Sequence, residues 1–514
     1  MSSDRVLVVI GRTRHKMVVA ELAEAVKRGA KFIELRLDFL AKAVDFKRLA
    51  PLKQCPWVAT LRRHADGGRF NGSEQERQTI LRQAIASGAF EWVDVETDVA
   101  DTIKRFGPVK RIVSYHNTAE TPGNLEEVYA KMLQQDGDVY KVAVLAQSAE
   151  DVARVFQLQR TAPKPTVAFC MGDIGQPSRY LALKFGAPWI YAAFNKERGI
   201  APGLPSFDEF RTTYPVRDVT PDTKVFGLVG DPVSHSFSPL LHNAMYRRLG
   251  VNALYLPFRV PRGQLAAALR AYEQVPVHGY SVTIPHKESA AGLARESDET
   301  VQLTSSANTL VRRDDGKFIA ANTDFAAAVD SLKAHLAERA DGGPAPQVGQ
   351  LSFLILGAGG VARSIAYALH REGAQVTIAG RTLERAHRLA EDVKCKAVDW
   401  HARHSVSFDV LVNCTPVGMH PNVDEAPCHF SILKPGAIVF DTIYTPETTL
   451  LIREARVRGC ETITGVDMFV RQAARQIELF TGRAPDADAM RALMRKALSP
   501  LTKAFEEEGE EGEQ

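Results

Sequence analysis

The chain of 514 residues lacks long apolar runs, closely spaced cysteine pairs and a strong excess of either charge. No segment approaches the roughly 18 consecutive apolar residues of a membrane span, and the N-terminal apolar run has no signal-peptide cleavage site behind it. Lys and Arg number 64 against 61 Asp and Glu, a net charge of +3. We therefore expect neither nucleic acid nor a membrane surface as a partner.

The cysteines are few and scattered, with no CxxC pair and no Cys/His cluster; they are Cys55, Cys170, Cys395, Cys414, Cys428 and Cys460. This spacing argues against a disulfide scaffold and against structural zinc, and we expect no metal. Scattered thiols suit a reducing compartment, so we expect a cytoplasmic protein. Hydrophobic residues at 45% and charged residues at 24% indicate a globular chain, and its length indicates about three domains.

Short apolar segments alternate with amphipathic helical patterns through the first two hundred residues. The strand candidates are 5–11, 31–39, 57–62, 90–97, 111–116, 139–145, 166–172 and 189–194. Eight consecutive β/α units predict a closed (β/α)8 TIM barrel over residues 1–212, followed by a proline-rich linker at 213–223.

A further α/β pattern begins after the linker, so the whole chain is predicted to be α/β. The predicted parts are a second domain at 224–330, a third at 351–478, C-terminal helices at 479–505 that return to the second domain, and a disordered acidic tail at 506–514.

The third domain opens with an apolar strand, LSFLIL, and a glycine-rich turn into a helix; the turn is Gly357, Ala358, Gly359, Gly360, Val361 and Ala362. This order is typical of a Rossmann dinucleotide site, where a pyrophosphate lies at the helix N-terminus. After the second strand stand Arg381, Thr382 and Arg385, where an NAD enzyme usually has an acidic residue. A guanidinium there suits a 2′-phosphate and predicts NADP(H), although a solvated basic helix start is the alternative.

Four motifs in residues 224–505 resemble the shikimate dehydrogenase family; they are HSFSP, VTIPHK, ANT and NTD. The resemblance implies a catalytic Lys287 with Asp324 as its partner. It implies substrate contacts from Ser236, Ser238, Thr283, Asn308, Tyr444 and Gln472, and further cofactor contacts from Thr415, Gly465 and Met468.

The chemistry agrees with this resemblance, because reducing a ketone needs a proton donor and a lysine beside a carboxylate can supply one. The chain departs from the family pattern beside the catalytic positions. Ser281 replaces the usual Asn, and Ser305 and Ser306 replace Gly-Ala.

Polar residues in the predicted barrel stand at the C-terminal ends of its strands, where such folds place their active sites. Lys141 instead lies within an apolar strand, VYKVAVL. Burial would lower its pKa and make it a nucleophile towards ketones. The alternative is a lysine that extends to the barrel mouth.

The barrel segments resemble type I 3-dehydroquinate dehydratase over about residues 4–212, through ELRLD, TLRRHADGG, SYHN, YKVAV, MGDIGQPSR and APG. The resemblance implies that Lys141 forms a Schiff base and that His116 moves protons. It implies substrate contacts from Glu34, Arg36, Arg62, Asp66, Met171 and Arg179.

Three positions depart from the dehydratase pattern. Asp66 replaces a Glu that orients the histidine, and Ile200 and Leu204 replace a Ser and a Gln that contact the substrate near its carboxylate. Each lost contact is worth about 0.5–1.5 kcal/mol, or up to about 3 with a charged partner.

The sequence thus predicts a bifunctional shikimate-pathway enzyme. It would dehydrate 3-dehydroquinate and reduce 3-dehydroshikimate to shikimate with NADPH. Two alternatives stay open: a dehydrogenase that acts on quinate, and a working dehydrogenase that carries a weakened or non-catalytic barrel.

Overall fold

The computed structural model describes residues 5–105, 107–196, 200–340 and 344–499. Two compact units divide the chain: residues 1–246 with 252–277, and residues 247–251 with 278–514. The predicted tail, and residues 500–505 of the predicted C-terminal segment, lie outside the described residues. The domain boundaries given above stay a prediction.

Eight parallel strands form the barrel: β1 (Val6–Ile10), β2 (Ile33–Arg36), β3 (Trp57–Thr60), β4 (Trp92–Glu96), β5 (Lys110–Asn117), β6 (Val139–Leu145), β7 (Thr166–Met171) and β8 (Ile190–Ala193). They pair in the order β7-β6-β5-β4-β3-β2-β1-β8. The two end strands meet through Phe169 and Tyr191, whose ring centroids are 5.7 Å apart. The predicted TIM barrel is confirmed.

The helices around the barrel are α1 (His15–Lys27), α2 (Phe46–Leu49), α3 (Glu74–Ala86), α4 (Leu125–Met132), α5 (Ala149–Thr161), α6 (Gln176–Leu181) and α7 (Phe207–Thr212). Ser73, Ser148 and Ser206 cap α3, α5 and α7 by accepting a backbone N–H of the first turn. Within the described part of the β4–β5 connection, a 3-10 turn (Ala100–Thr102) stands where a helix is expected.

Aromatic rings close the end of the barrel at which the strands begin. Phe32 precedes β2, Trp92 starts β4 and Trp189 precedes β8. The Trp189 ring packs edge-on against the other two, with centroids 5.3 Å apart in both cases. Apolar packing fills this end, so the polar side chains of the barrel collect at the opposite end.

The first unit continues with β9 (Lys224–Gly230), α8 (Ser238–Arg248), β10 (Ala253–Arg259) and α9 (Leu265–Ala271), and β9 and β10 pair in parallel. Arg259 bridges this segment to the barrel. Its Nε donates to Asp231 at 2.8 Å, and its Nη1 lies 3.2 Å from Asp173 in the loop after β7.

The second unit begins with four paired strands and three helices: β11 (Val277–Val282), α10 (Lys287–Leu293), β12 (Glu296–Ser297), α11 (Glu299–Thr304), β13 (Thr309–Arg312), β14 (Phe318–Ala321) and α12 (Thr323–Arg339). Strand β13 pairs antiparallel with β11 and with β14, and β12 pairs in parallel with β14.

A six-stranded parallel sheet follows: β15 (Ser352–Leu356), β16 (Gln375–Gly380), β17 (Lys396–Asp399), β18 (Val410–Asn413), β19 (Ile438–Asp441) and β20 (Glu461–Ile463). Its helices are α13 (Gly360–Arg371), α14 (Leu383–Val393), α15 (Leu450–Val457), α16 (Gly465–Thr481) and α17 (Ala487–Leu498). The strand order, β17-β16-β15-β18-β19-β20, is that of a Rossmann fold, which confirms the prediction. The order reverses between β15 and β18, where such folds bind dinucleotides.

In the parts of the chain that the structure covers, no helix combines the length and the apolar composition needed to cross a bilayer.

Candidate active sites

A cavity of about 140 Å³ lies among the polar side chains of the barrel. All the barrel residues that the sequence predicts line it together: Glu34, Arg36, Arg62, Asp66, His116, Lys141, Met171 and Arg179. They come from five of the strands and the segments that follow them, so the barrel topology alone brings them to one place.

Lys141 lines this cavity and is buried, with 6% of its surface exposed. Its Nζ lies 3.4 Å from Asp94 Oδ2 and 4.3 Å from the centroid of the Tyr191 ring. Burial lowers the pKa of Lys141, although the charges of Glu34 and Asp94 oppose that effect. A lowered pKa gives the amine a larger neutral fraction, the form that attacks a carbonyl carbon.

His116 ends in the same cavity with its Nδ1 buried and without a hydrogen-bond partner among the described residues. Burial, with the nearby charges of Arg62 and Lys141, holds its pKa well below the ordinary value. The imidazole is therefore neutral near pH 7 and can accept a proton.

Asp66 lines the cavity, and no hydrogen bond joins it to His116 Nδ1 in the described structure. Its Oδ2 accepts a 2.6 Å hydrogen bond from Arg63 Nε. The Asp66 side chain is one methylene shorter than the Glu that is usual at this position, and its carboxylate pairs with Arg63.

Arg62 is held by a buried network that the sequence analysis missed. Nη1 donates to Glu96 at 2.8 Å and to Ser114 at 2.9 Å, and Nη2 donates to Asp94 at 2.8 Å. Burial would lower the pKa of Arg62, but the two carboxylates raise it overall. Arg77 of α3 contacts Glu96 from the other side. The signal in the sequence was two acidic residues alternating along an otherwise apolar strand, WVDVE.

Arg179 is 3% exposed, and burial lowers its pKa to about 10. Its Nη2 donates to the carbonyl of Pro202 at 3.2 Å, while its buried Nε has no partner in the described structure. An anion in the cavity would supply one. Ile200 and Leu204 line the cavity on the same side, so this wall is apolar.

Lys287 and Asp324 meet in the second unit, as predicted. Lys287 Nζ donates to Asp324 Oδ2 at 2.6 Å, and both side chains are largely buried. They lie in the first turns of α10 and α12. A lysine held this way can present a proton to an alkoxide as it forms.

A buried polar cluster around Asn308 lies beside this pair. Asn308 Nδ2 donates to Thr323 at 2.9 Å. Gln476 of α16, which the sequence analysis missed, donates to the Asn308 carbonyl at 2.9 Å and accepts from Ser281 at 2.7 Å. Ser281, the departure from the family pattern, therefore anchors a helix 195 positions further along the chain.

The other predicted substrate contacts divide between the units. Tyr444 stacks on Phe469 with centroids 4.3 Å apart, and Gln472 donates to the Phe469 carbonyl at 3.1 Å. Thr283 follows β11 and is partly exposed. The two serines of the HSFSP motif belong to the first unit, where the hydroxyls of Ser236 and Ser238 are 3.1 Å apart. Their approach to the lysine stays a prediction.

The glycine-rich turn has the geometry of a dinucleotide site. Gly357 has a φ of +117°, and a Cβ there would lie 3.0 Å from the Cys414 carbonyl. A Cβ on Gly360 would lie 3.6 Å from Lys287 Cδ, which places the turn beside the Lys287–Asp324 pair. Ala358 and Gly359 complete the turn, and Val361 and Ala362 continue into α13.

The remaining predicted cofactor residues are Thr415, Gly465 and Met468, of which Thr415 lies against Gly357. Thr415 follows β18 and donates to Asn413 Oδ1 at 2.7 Å. Gly465 packs on the Ile443 carbonyl, which a Cβ would approach to 2.3 Å, and Met468 is buried one turn further on. The absence of a side chain at Gly465 therefore lets the start of α16 pack closely against the backbone at Ile443.

Arg381, Thr382 and Arg385 are exposed at the end of β16 and the start of α14. Within the residues described, neither arginine pairs with a carboxylate, so both guanidinium groups are available to an anion. The residues present therefore fit NADP(H), with the pyrophosphate at the α13 N-terminus and the 2′-phosphate at the arginines.

Family models match along the chain: type I 3-dehydroquinase at 6–221, the shikimate dehydrogenase substrate-binding domain at 228–310, shikimate/quinate 5-dehydrogenase at 341–418 and the shikimate 5′-dehydrogenase C-terminal domain at 465–495. A bifunctional 3-dehydroquinate dehydratase/shikimate dehydrogenase of Arabidopsis thaliana, described as chloroplastic, is 38% identical over 91% of this chain and 80% of its own length. The chain belongs to this bifunctional family.

Two further relatives match the dehydrogenase half. A shikimate dehydrogenase (NADP(+)) of Shouchella clausii is 34% identical over 54% of this chain and 100% of its own length. A crystal structure of a shikimate dehydrogenase in complex with NADP+ superposes with a TM-score of 0.50 at 32% identity, covering 54% of this chain and 97% of that one. The predicted pair of activities and the predicted NADP(H) dependence are confirmed.

Proposed function

We propose that the barrel dehydrates 3-dehydroquinate through a Schiff base on Lys141, and that Lys287 and Asp324 serve the NADPH-dependent reduction of 3-dehydroshikimate to shikimate. One observation carries the barrel assignment. A buried lysine shares a single cavity with a neutral histidine and three arginines.

In the barrel, the neutral amine of Lys141 attacks the substrate ketone, and the carbonyl oxygen leaves as water. The resulting iminium makes the adjacent C–H acidic. His116 removes that proton and returns it to the departing hydroxyl, so a C=C bond forms and water leaves. A water molecule then hydrolyses the iminium, which releases the enone product and regenerates the amine of Lys141. Arg179 would hold the substrate carboxylate, while Glu34, Arg36 and Arg62 would hold ring hydroxyls.

In the second half, bound NADPH supplies the hydride. Lys287 donates a proton to the substrate oxygen, and Asp324 keeps its ammonium at that position. The proposal assigns the substrate carboxylate to Ser236 and Ser238. The remaining ring contacts are assigned to Thr283, Asn308, Tyr444 and Gln472.

We also propose that the protein resides in a reducing compartment, the cytoplasm. All six cysteines are free thiols, and five of them lie where burial raises the thiol pKa, which disfavours oxidation.

One cuvette tests both halves. The purified chain is incubated with 3-dehydroquinate without nucleotide, and the ultraviolet absorbance of the conjugated enone is followed; NADPH is then added. We expect the enone to rise first and NADPH to be consumed afterwards. Lys141→Ala should abolish the first phase alone, and Lys287→Met should abolish the second alone.

The apolar wall of Ile200 and Leu204 gives the non-catalytic barrel a specific observation in its favour. That alternative predicts no enone from the wild-type chain and NADPH oxidation only when 3-dehydroshikimate is supplied. A strong preference for quinate and NAD over shikimate and NADP would refute the dehydrogenase assignment.

A further inference from the structure

We infer that Asp94 is a positioning residue of the barrel reaction: its carboxylate holds Lys141 Nζ at the cavity and balances the positive charge of the iminium. The inference rests on the proposed function, because it requires Lys141 to form the imine. Asp94 does not line the cavity, so it acts through Lys141 and does not touch the substrate.

Both carboxylate oxygens of Asp94 are fixed by neighbours. Oδ1 accepts from Ser114 Oγ at 2.6 Å, and Oδ2 accepts from Arg62 Nη2 at 2.8 Å. Lys141 Nζ lies 3.4 Å from the same Oδ2. The three strands β4, β5 and β6 are adjacent in the sheet, and Ser114 stands directly opposite Lys141. Asp94 therefore has one orientation, which directs Oδ2 towards the amine.

The carboxylate stays ionised despite being 1% exposed. Burial would raise its pKa, but the charges of Arg62 and Lys141 lower it to about 2. A permanent negative charge thus sits behind the amine at neutral pH.

Charged and titratable groups face Lys141 from every side of the barrel: Glu34 and Arg36 on β2, Arg62 after β3, Asp94 on β4, His116 on β5, Arg179 on α6 and Tyr191 on β8. Three of these are arginines. The iminium that the amine forms carries a positive charge, and a buried cation among arginines is costly without an anion in contact. Of these groups, Asp94 is the carboxylate recorded within 4 Å of Nζ.

Glu96 offers a matched control on the same strand. It is equally buried and also accepts from Arg62 at 2.8 Å, but no contact joins it to Lys141 in the described structure. Replacing either acid loosens Arg62, whereas only replacing Asp94 removes the charge beside the amine.

The test uses the full chain and the variants Asp94→Asn and Glu96→Gln. The pH profile of kcat/KM for 3-dehydroquinate dehydration is measured. Reduction with borohydride in the presence of substrate, followed by mass spectrometry, traps the imine as a secondary amine. The NADPH-dependent reduction of 3-dehydroshikimate by the same preparation is the internal control for intact protein.

We expect Asp94→Asn to lower kcat at least about tenfold, the change that matches loss of one charge-assisted contact. Its acid limb of kcat/KM should move to lower pH by about one unit, because loss of a neighbouring negative charge lowers the pKa of a lysine. Glu96→Gln should lower activity with the acid limb in place. Asp94→Glu, which keeps the charge, should restore the wild-type limb.

An acid limb of Asp94→Asn that coincides with the wild-type limb would overturn the inference. A wild-type chain that traps no adduct would overturn the proposed function of Lys141 instead. If Asp94→Asn does not accumulate as folded protein, Ser114→Ala replaces it, since it frees Oδ1 and keeps the charge. That variant should trap the imine several-fold more slowly at an unchanged acid limb, and an unchanged trapping rate would contradict the inference.

Discussion

Replacing Arg381 by alanine should weaken the binding of NADPH without affecting the binding of NADH. The side chain is exposed at the end of β16, and no carboxylate in the described residues engages it. Its removal therefore breaks no internal contact of the fold. The interaction at stake is the one between its guanidinium and the 2′-phosphate, a group that NADH does not carry.

The expected magnitude follows from that single contact. A hydrogen bond to a charged group contributes about 1.5–3 kcal/mol, and about 1.4 kcal/mol corresponds to a tenfold change in affinity. Exposure and salt screening favour the lower end of this range. Arg381→Ala should raise the Kd of NADPH about tenfold, and the double variant with Arg385→Ala should raise it about a hundredfold.

The assay titrates NADPH and NADH by quenching of protein fluorescence, and then measures initial rates of 3-dehydroshikimate reduction with each nucleotide. Arg388→Ala is the matched control, because Arg388 lies on α14 as Arg385 does, is exposed and pairs with Glu384 at 3.6 Å. Equal losses for NADPH and NADH, or an equal loss in the control, would refute the reasoning.

Lys141→Ala should abolish enone formation and the borohydride-trapped adduct while NADPH-dependent turnover continues, and residual trapping would contradict the imine assignment. The double variant Ile200→Ser/Leu204→Gln should raise kcat/KM for 3-dehydroquinate about tenfold, because it supplies hydrogen bonds to the wall that now lacks them; an unchanged value in steady-state rates would mean that this wall does not meet the substrate. Asp441 is buried, and burial raises its pKa from 3.8 to about 6. Because the pKa is higher in the folded chain than in the unfolded chain, protonation of Asp441 stabilises the fold, and this effect is complete below about pH 4. About 3 kcal/mol of the free energy of unfolding is lost as the pH rises through 6. In thermal melts of the Rossmann domain, Asp441→Asn should flatten this dependence, and a slope equal to that of the wild type would refute it.

Local sequence determined most of the architecture. Seven of the eight barrel strands lie within their predicted segments, and β5 extends one residue beyond its segment at each end. The agreement is close because continuous apolar runs bounded by helical patterns are typical of parallel strands buried on both faces. The second strand ends at Arg36, three residues short of the prediction, because Leu37–Phe39 turns into a 3-10 helix. The turn at Gly357 was also predictable from the sequence, because only a residue without a Cβ tolerates a φ of +117° so close to Cys414.

Motifs in the sequence also identified several side chains that the fold brings together. All the predicted barrel residues line one cavity, and Lys287 meets Asp324. Motifs predict this grouping because the C-terminal ends of the parallel strands lie at one end of the barrel and at one edge of the Rossmann sheet.

Only the tertiary structure decided how those side chains are held. Asp66 pairs with Arg63, three positions earlier, and His116 Nδ1 has no hydrogen-bond partner in the part of the chain that the structure describes. Arg62 is anchored by acids of a neighbouring strand, and Gln476 ties α16 to Ser281 across 195 positions. Residue types and periodicity predict which positions are buried. Which group a buried side chain bonds depends on the relative placement of distant segments to within a few tenths of an ångström. Those distances are set by packing.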